Sequence, residues 1–178
     1  MHYHIVRSDL SADKTNQVLA ALNHPDILAA LERMPIGTIT IGRLGDKQHL
    51  AWYDEDTRSV AINSARKRGV HFGDVLRPGL TWNMSQATSD KTESIRRSLL
   101  QELAHHIEAS FPGLTELAHA AFADPAKRPI TRYAFEKPGE YLAESLVAYL
   151  VERSTFDAYD RVGYKMVEQA IVVMRSQK

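Results

Sequence analysis

The stretch Leu99-Leu100-Gln101-Glu102-Leu103-Ala104-His105-His106 holds the residue types that could do chemistry. On a helix, side chains four apart share a face, so two ligands at that spacing reach one ion. A Glu next to the first of them can take the proton of a metal-bound water. Glu102 and His105 fill two places of the pattern His-Glu-x-x-His, and Gln101 stands where the first His belongs. The remnant Glu-x-x-His is weak alone. Eleven Glu and eight His in 178 residues give about half of one such pair by chance. Glu116-Leu117-Ala118-His119 repeats the same spacing.

A second segment adds weight. Arg132-Tyr133-Ala134-Phe135-Glu136-Lys137-Pro138-Gly139-Glu140-Tyr141-Leu142-Ala143-Glu144 runs on into the apolar Ser145 to Leu150. With the upstream Glu-x-x-His it resembles the closing motif of the anthrax lethal factor-type zinc peptidases. That pattern has a Tyr seven residues before a ligand Glu and another Glu four residues after it. Tyr133, Glu140 and Glu144 match all three positions, and the resemblance covers roughly residues 95–150. It implies an α+β, zincin-like fold, a small antiparallel sheet packed on an active-site helix with further helices, forming one domain over 1–178. It also implies a Zn2+ cofactor and a protein or peptide substrate. Gln101, His105 and Glu140 would be the metal positions, Glu102 the general base, and Tyr133 the donor to the oxyanion. Glu144 would orient a ligand from behind. In such peptidases a sheet edge beside the active helix pairs with the extended substrate. Ser59, Val60, Ala61, Ile62 and Asn63 are the candidate edge. The helix motif is also similar to that of the IrrE/ImmA-type peptidases, with the same departure at the first His. These do not call for the Tyr133-to-Glu140 spacing and rank second.

Gln101 qualifies the implied activity. Zinc sites of this class use three protein ligands and leave a fourth position for water, and a neutral amide oxygen is a poorer ligand than imidazole nitrogen. His106 cannot substitute, because it points about 100° further around the helix than His105. Three readings follow: an enzyme with a weakened site, a silent pseudo-peptidase that binds a peptide or partner, or a chain in which a one-nucleotide change has replaced His by Gln.

The surrounding elements must position these residues. His2-Tyr3-His4-Ile5-Val6 alternates like a short strand. Ser11 to Leu22 has helical spacing, and Pro25 opens a second helix near Asp26 to Arg33. Ile36 to Ile41, His49 to Tyr53 and Ser59 to Asn63 read as three strands. The turns at Gly45-Asp46-Lys47 and Asp54 to Thr57 would join them in an antiparallel meander. Residues 64–89 read mostly as loop. Asp90 with Glu93 is a capping-box-like start for the active helix, about 90–110, carrying the stripe Ile95, Leu99, Leu103 and Ile107. Leu114 to Ala123 is a shorter helix. The glutamate helix covers about 139–153, and a last one runs from Asp160 to Arg175.

Composition sets outer limits. Residues are 44% hydrophobic and 25% charged, within the ordinary globular range. Lys+Arg (22) balance Asp+Glu (22), so nothing favours nucleic acid globally. Arg66-Lys67-Arg68 and Arg96-Arg97 read as solvated faces, and His2 and His4 as surface histidines. Zero cysteines exclude thiolate ligands and thiol nucleophiles. No run suits a membrane span or a cleavable signal, so the expectation is a soluble chain, cytoplasmic or exported without such a signal. Oligomeric state is left open.

Overall fold

The computed structural model describes residues 5–44, 49–65 and 81–176. The proposed turn at Gly45-Asp46-Lys47, the cluster Arg66-Lys67-Arg68, His2, His4 and most of the 64–89 stretch lie outside them. The strands are β1 (Ile5–Ser8), β2 (Thr38–Gly42), β3 (Ala51–Asp54) and β4 (Ser59–Asn63). The helices among the described residues are α1 (Ala12–Leu19), α2 (Pro25–Arg33), α3 (Lys91–Ser110), α4 (Leu114–Ala123), α5 (Pro138–Val151), α6 (Arg153–Tyr159) and α7 (Arg161–Ser176). The class is α+β.

The sheet corrects the expected meander. Its order is β1-β2-β4-β3, with β1 parallel to β2, β2 parallel to β4, and only β3 antiparallel to its neighbour β4. The β3–β4 hairpin is tight, with the Thr57 N–H donating to Asp54 Oδ1 at 3.0 Å and Arg58 in the left-handed region at φ 50°. The longer passage from β2 to β3 lets the hairpin dock with β4 inside. Burial explains that choice: Val60 and Ile62 of β4 are buried, whereas β3 alternates half-buried Ala51 and Tyr53 with exposed Trp52 and Asp54. A strand with one wet face and a charged end suits the sheet edge. Ser59 to Asn63 is therefore an interior strand, and the edge beside the helices is β3.

Ile39, Ile41, Val60 and Ile62 form the buried sheet face and share one core with α1, α2 and α3. Helix α3 starts as the sequence predicts: the Asp90 carboxylate accepts from the Glu93 N–H at 2.9 Å. Glu93 then binds Arg96 at 2.7 Å and Arg97 at 2.8 Å. The Ile95, Leu99, Leu103 and Ile107 stripe is buried. The helix is not a surface one, however. Ser94, Arg97, Ser98, Gln101, Glu102 and His106 are buried as well, because α5 packs along it and the sheet covers another side. Polar groups at such places cost free energy unless paired.

The C-terminal helices frame α5. Asp160, fully buried, joins three segments: Tyr141 Oη donates to it at 2.7 Å, and the N–H groups of Arg128 and Gly163 each donate at 3.1 Å. Removing it leaves two buried donors, Tyr141 Oη and the Gly163 N–H, and the partly buried Arg128 N–H without their acceptor. Asp160→Ala is expected to cost about 3 kcal/mol, lowering the melting temperature by roughly 6–12 °C. A calorimetric scan showing under 2 °C would contradict this account. The sequence pattern predicts no separate helix over α6. Its seven residues include Ser154 and Thr155, which favour caps and turns as readily as helix.

Candidate active site

Helices α3 and α5 bring Gln101, His105 and Glu140 to one point. Glu140 Oε2 lies 3.2 Å from His105 Nε2 and 3.5 Å from Gln101 Nε2. Lys137, largely exposed, approaches the other oxygen, Oε1, at 3.3 Å. Burial pushes the Glu140 carboxyl up, but His105 and Lys137 outweigh it and hold it below the usual carboxylate range. Burial likewise opposes charge on His105, yet Glu108 and Glu140 raise its pKa to about 10. At neutral pH the metal-free site therefore holds an imidazolium–carboxylate pair.

Glu102 sits one residue from Gln101 and is 7% exposed. Burial raises it to about 7, assisted by Glu140 and opposed by His105 and by the Tyr53 main-chain N–H. That N–H comes from the edge strand. The Asn63 N–H donates to Leu50 O at 2.7 Å, so residues 50 and 63 form a hydrogen-bonded pair. By alternation, Ala51 and Tyr53 turn their main-chain groups away from β4. Among the described residues no strand pairs with that outer side.

Tyr133 also reaches the site, from a 3-10 turn over Tyr133–Phe135. Its N–H donates to Trp82 O at 2.8 Å, and its ring lies 6.0 Å from the Trp82 ring. Burial, and then the neighbouring Glu140 carboxylate, raise its pKa, so its hydroxyl stays protonated and able to donate. Glu144 is fully buried one turn beyond Glu140. Its Oε2 accepts from the Met84 N–H at 2.5 Å and from Thr131 Oγ1 at 2.8 Å. Its Oε1 has no hydrogen-bond partner among the described residues. Here Glu144 anchors the 81–84 and 131 segments rather than a metal-site side chain, which differs from the expected ligand-orienting role.

His106 does what its place on the helix dictates. It is buried, with Nε2 2.8 Å from Met34 O and Nδ1 3.0 Å from Tyr53 Oη. A carbonyl can only accept, so Nε2 carries the proton and the Tyr53 hydroxyl donates to Nδ1. This ties the edge strand to α3. Tyr53 and Trp82 are neighbours that the sequence does not signal, since nothing local marks a contact across some fifty residues, whereas Glu108 lies within one turn of His105. Glu116 and His119, the decoy repeat, lie on α4 and take no part in the site.

Among the described residues no three His, Cys, Asp or Glu side chains form a metal-holding group. The donor types fit zinc, with one imidazole nitrogen and one carboxylate converging, but the set is one strong ligand short at Gln101. Its amide turns Nε2 toward Glu140, so a half-turn would be needed to present oxygen. No protein-family model matches the chain, and comparisons with curated proteins and with solved structures find no significant match.

Burial of two carboxyls has a measurable consequence. Glu102 rises to about 7 and Glu144, again chiefly through burial, to about 8, both from 4.5. Between those values the folded protein binds more protons than the unfolded chain, so stability of the metal-free protein falls as pH rises from 5 to 8.5. Glu144→Gln should remove on the order of 3 kcal/mol of that fall. Urea unfolding at pH 5, 7 and 8.5 reads both slopes, and equal slopes would refute the assignment.

Proposed function

We propose that this chain is a zinc-metallopeptidase-type domain acting on a protein or peptide, with a metal site weakened by Gln101. The observation that carries the reading is the meeting of Gln101, His105 and Glu140 at one point with the buried Glu102 beside them. The lethal factor-type resemblance supplies the assignment of roles. His105 Nε2 and the Glu140 carboxylate would hold zinc, with the Gln101 amide oxygen as the poor third donor. The ion would supply Lewis acidity and a bound water of lowered pKa.

The remaining steps belong to the protein. An extended peptide laid along β3 would meet the outward main-chain groups of Ala51 and the Tyr53 carbonyl, the Tyr53 N–H being held by Glu102, and continue the sheet. Glu102, which burial raises to about 7 in the ion-free protein, suits proton transfer from the attacking water to the leaving amine. The Tyr133 hydroxyl donates to the oxygen that gains charge as the carbonyl is attacked.

A second reading draws on the same geometry. The His105–Glu140 pair and the Gln101 amide satisfy one another without an ion, as a silent peptide-binding module would require. Zinc stoichiometry after loading and desalting separates the two. About one zinc per chain is expected for the peptidase reading. No retained zinc, with peptide binding unaffected by Glu102→Ala, favours the silent module.

A further inference from the structure

We infer that Glu108 is the residue that orients His105 for metal capture, and that Gly139 is glycine to leave room for it; this rests on the metal-site reading above. Glu108 lies one turn beyond His105 on α3, and its Oε2 stands 3.9 Å from His105 Nδ1. On the other side of the ring, Nε2 faces Glu140 at 3.2 Å. The two ring nitrogens thus address two different carboxylates, from α3 and from α5. An imidazole that binds metal through Nε2 keeps its proton on Nδ1, and a carboxylate facing that N–H fixes both tautomer and ring plane. The 3.9 Å separation is an ion-pair distance, which a small turn of the ring closes to a hydrogen bond when Nε2 is engaged.

Gly139 supplies the independent observation. It sits in the first turn of α5, immediately before Glu140, and a Cβ there would stand 2.8 Å from Glu108 Oε2 and 3.4 Å from Oε1. Both carboxylate oxygens are therefore packed over this one backbone position. Any larger residue at 139 must push the Glu108 carboxylate off its place beside His105. The acid also lies at the N-terminal end of α5, where negative charge is favoured. A purely structural role for Glu108 there is the competing explanation, and the test must distinguish it.

The experiment measures zinc affinity by chelator competition in the full chain carrying Gln101→His, where binding is expected to be strongest. Glu108→Ala should weaken zinc about 10–100-fold, the usual effect of losing a group behind a ligand. Glu108→Gln, which keeps an oxygen acceptor, should stay within about threefold of the parent, although it loses the charge that α5 favours. Gly139→Ala should weaken zinc by at least about fivefold in the parent and add nothing beyond Glu108→Ala, since both act through one contact. In the zinc-loaded parent the His105 Nδ1–H should give a slowly exchanging imidazole proton resonance, absent in Glu108→Ala. Unchanged affinity in Glu108→Ala, or full additivity with Gly139→Ala, overturns the inference while leaving the metal site standing. A parent that holds no zinc overturns both.

Discussion

Gln101→His should raise zinc affinity at least tenfold, or about 1.4 kcal/mol, measured by competition with a chelating dye. Two changes act together. An imidazole nitrogen replaces an amide oxygen as donor, and the Gln101 Nε2 contact to Glu140 Oε2 no longer has to be given up. The affinity itself should depend on pH in both proteins. With its pKa near 10, His105 must lose a proton before it can bind metal, so affinity should climb by up to tenfold per pH unit from pH 7 to 9. No gain from the substitution would sink the site assignment, because the other residue of α3 four positions from His105 is Ala109, which carries no ligand atom.

The second large effect concerns Glu102. In the zinc-loaded Gln101→His protein, Glu102→Gln should lower peptide hydrolysis by about 10²–10⁴-fold while leaving zinc affinity within about threefold. The separation follows from geometry: Glu102 meets the edge strand at the Tyr53 N–H, whereas the pairing around Glu140 Oε2 involves Gln101 and His105. The rate of the parent should fall toward acid pH, as Glu102 takes up the proton it must be free to accept. A quenched-fluorescent peptide mixture reads both. Hydrolysis that survives Glu102→Gln would assign the base elsewhere.

The gap between reading and structure is clearest at the sheet. Alternation located β2, β3 and β4 to within two residues, because period-two burial is a local property of the chain. Their pairing is not local. Whether β4 follows β3 outward or tucks inside depends on which strand buries its face better, and that is settled by Val60 and Ile62 against the helices. The charged run Asp54-Glu55-Asp56 at the end of β3 was the one available hint of an edge, and it reads equally well as a turn.

The site divides the same way. Helical spacing and capping chemistry determined that Glu102 and His105 lie on α3, that Asp90 caps it, and that Glu140 and Glu144 share a face of a second helix. Those are consequences of 3.6 residues per turn and of capping chemistry, which act within a few residues. Only the tertiary structure decided that Glu140 meets His105 at 3.2 Å, that Glu144 instead holds Met84 and Thr131, and that His106 pins Tyr53. Each of these is a choice of partner across 13 to 60 residues of chain. Buried polar groups must find partners, but which partner is available depends on how the helices and sheet pack, and no short stretch of sequence carries that information.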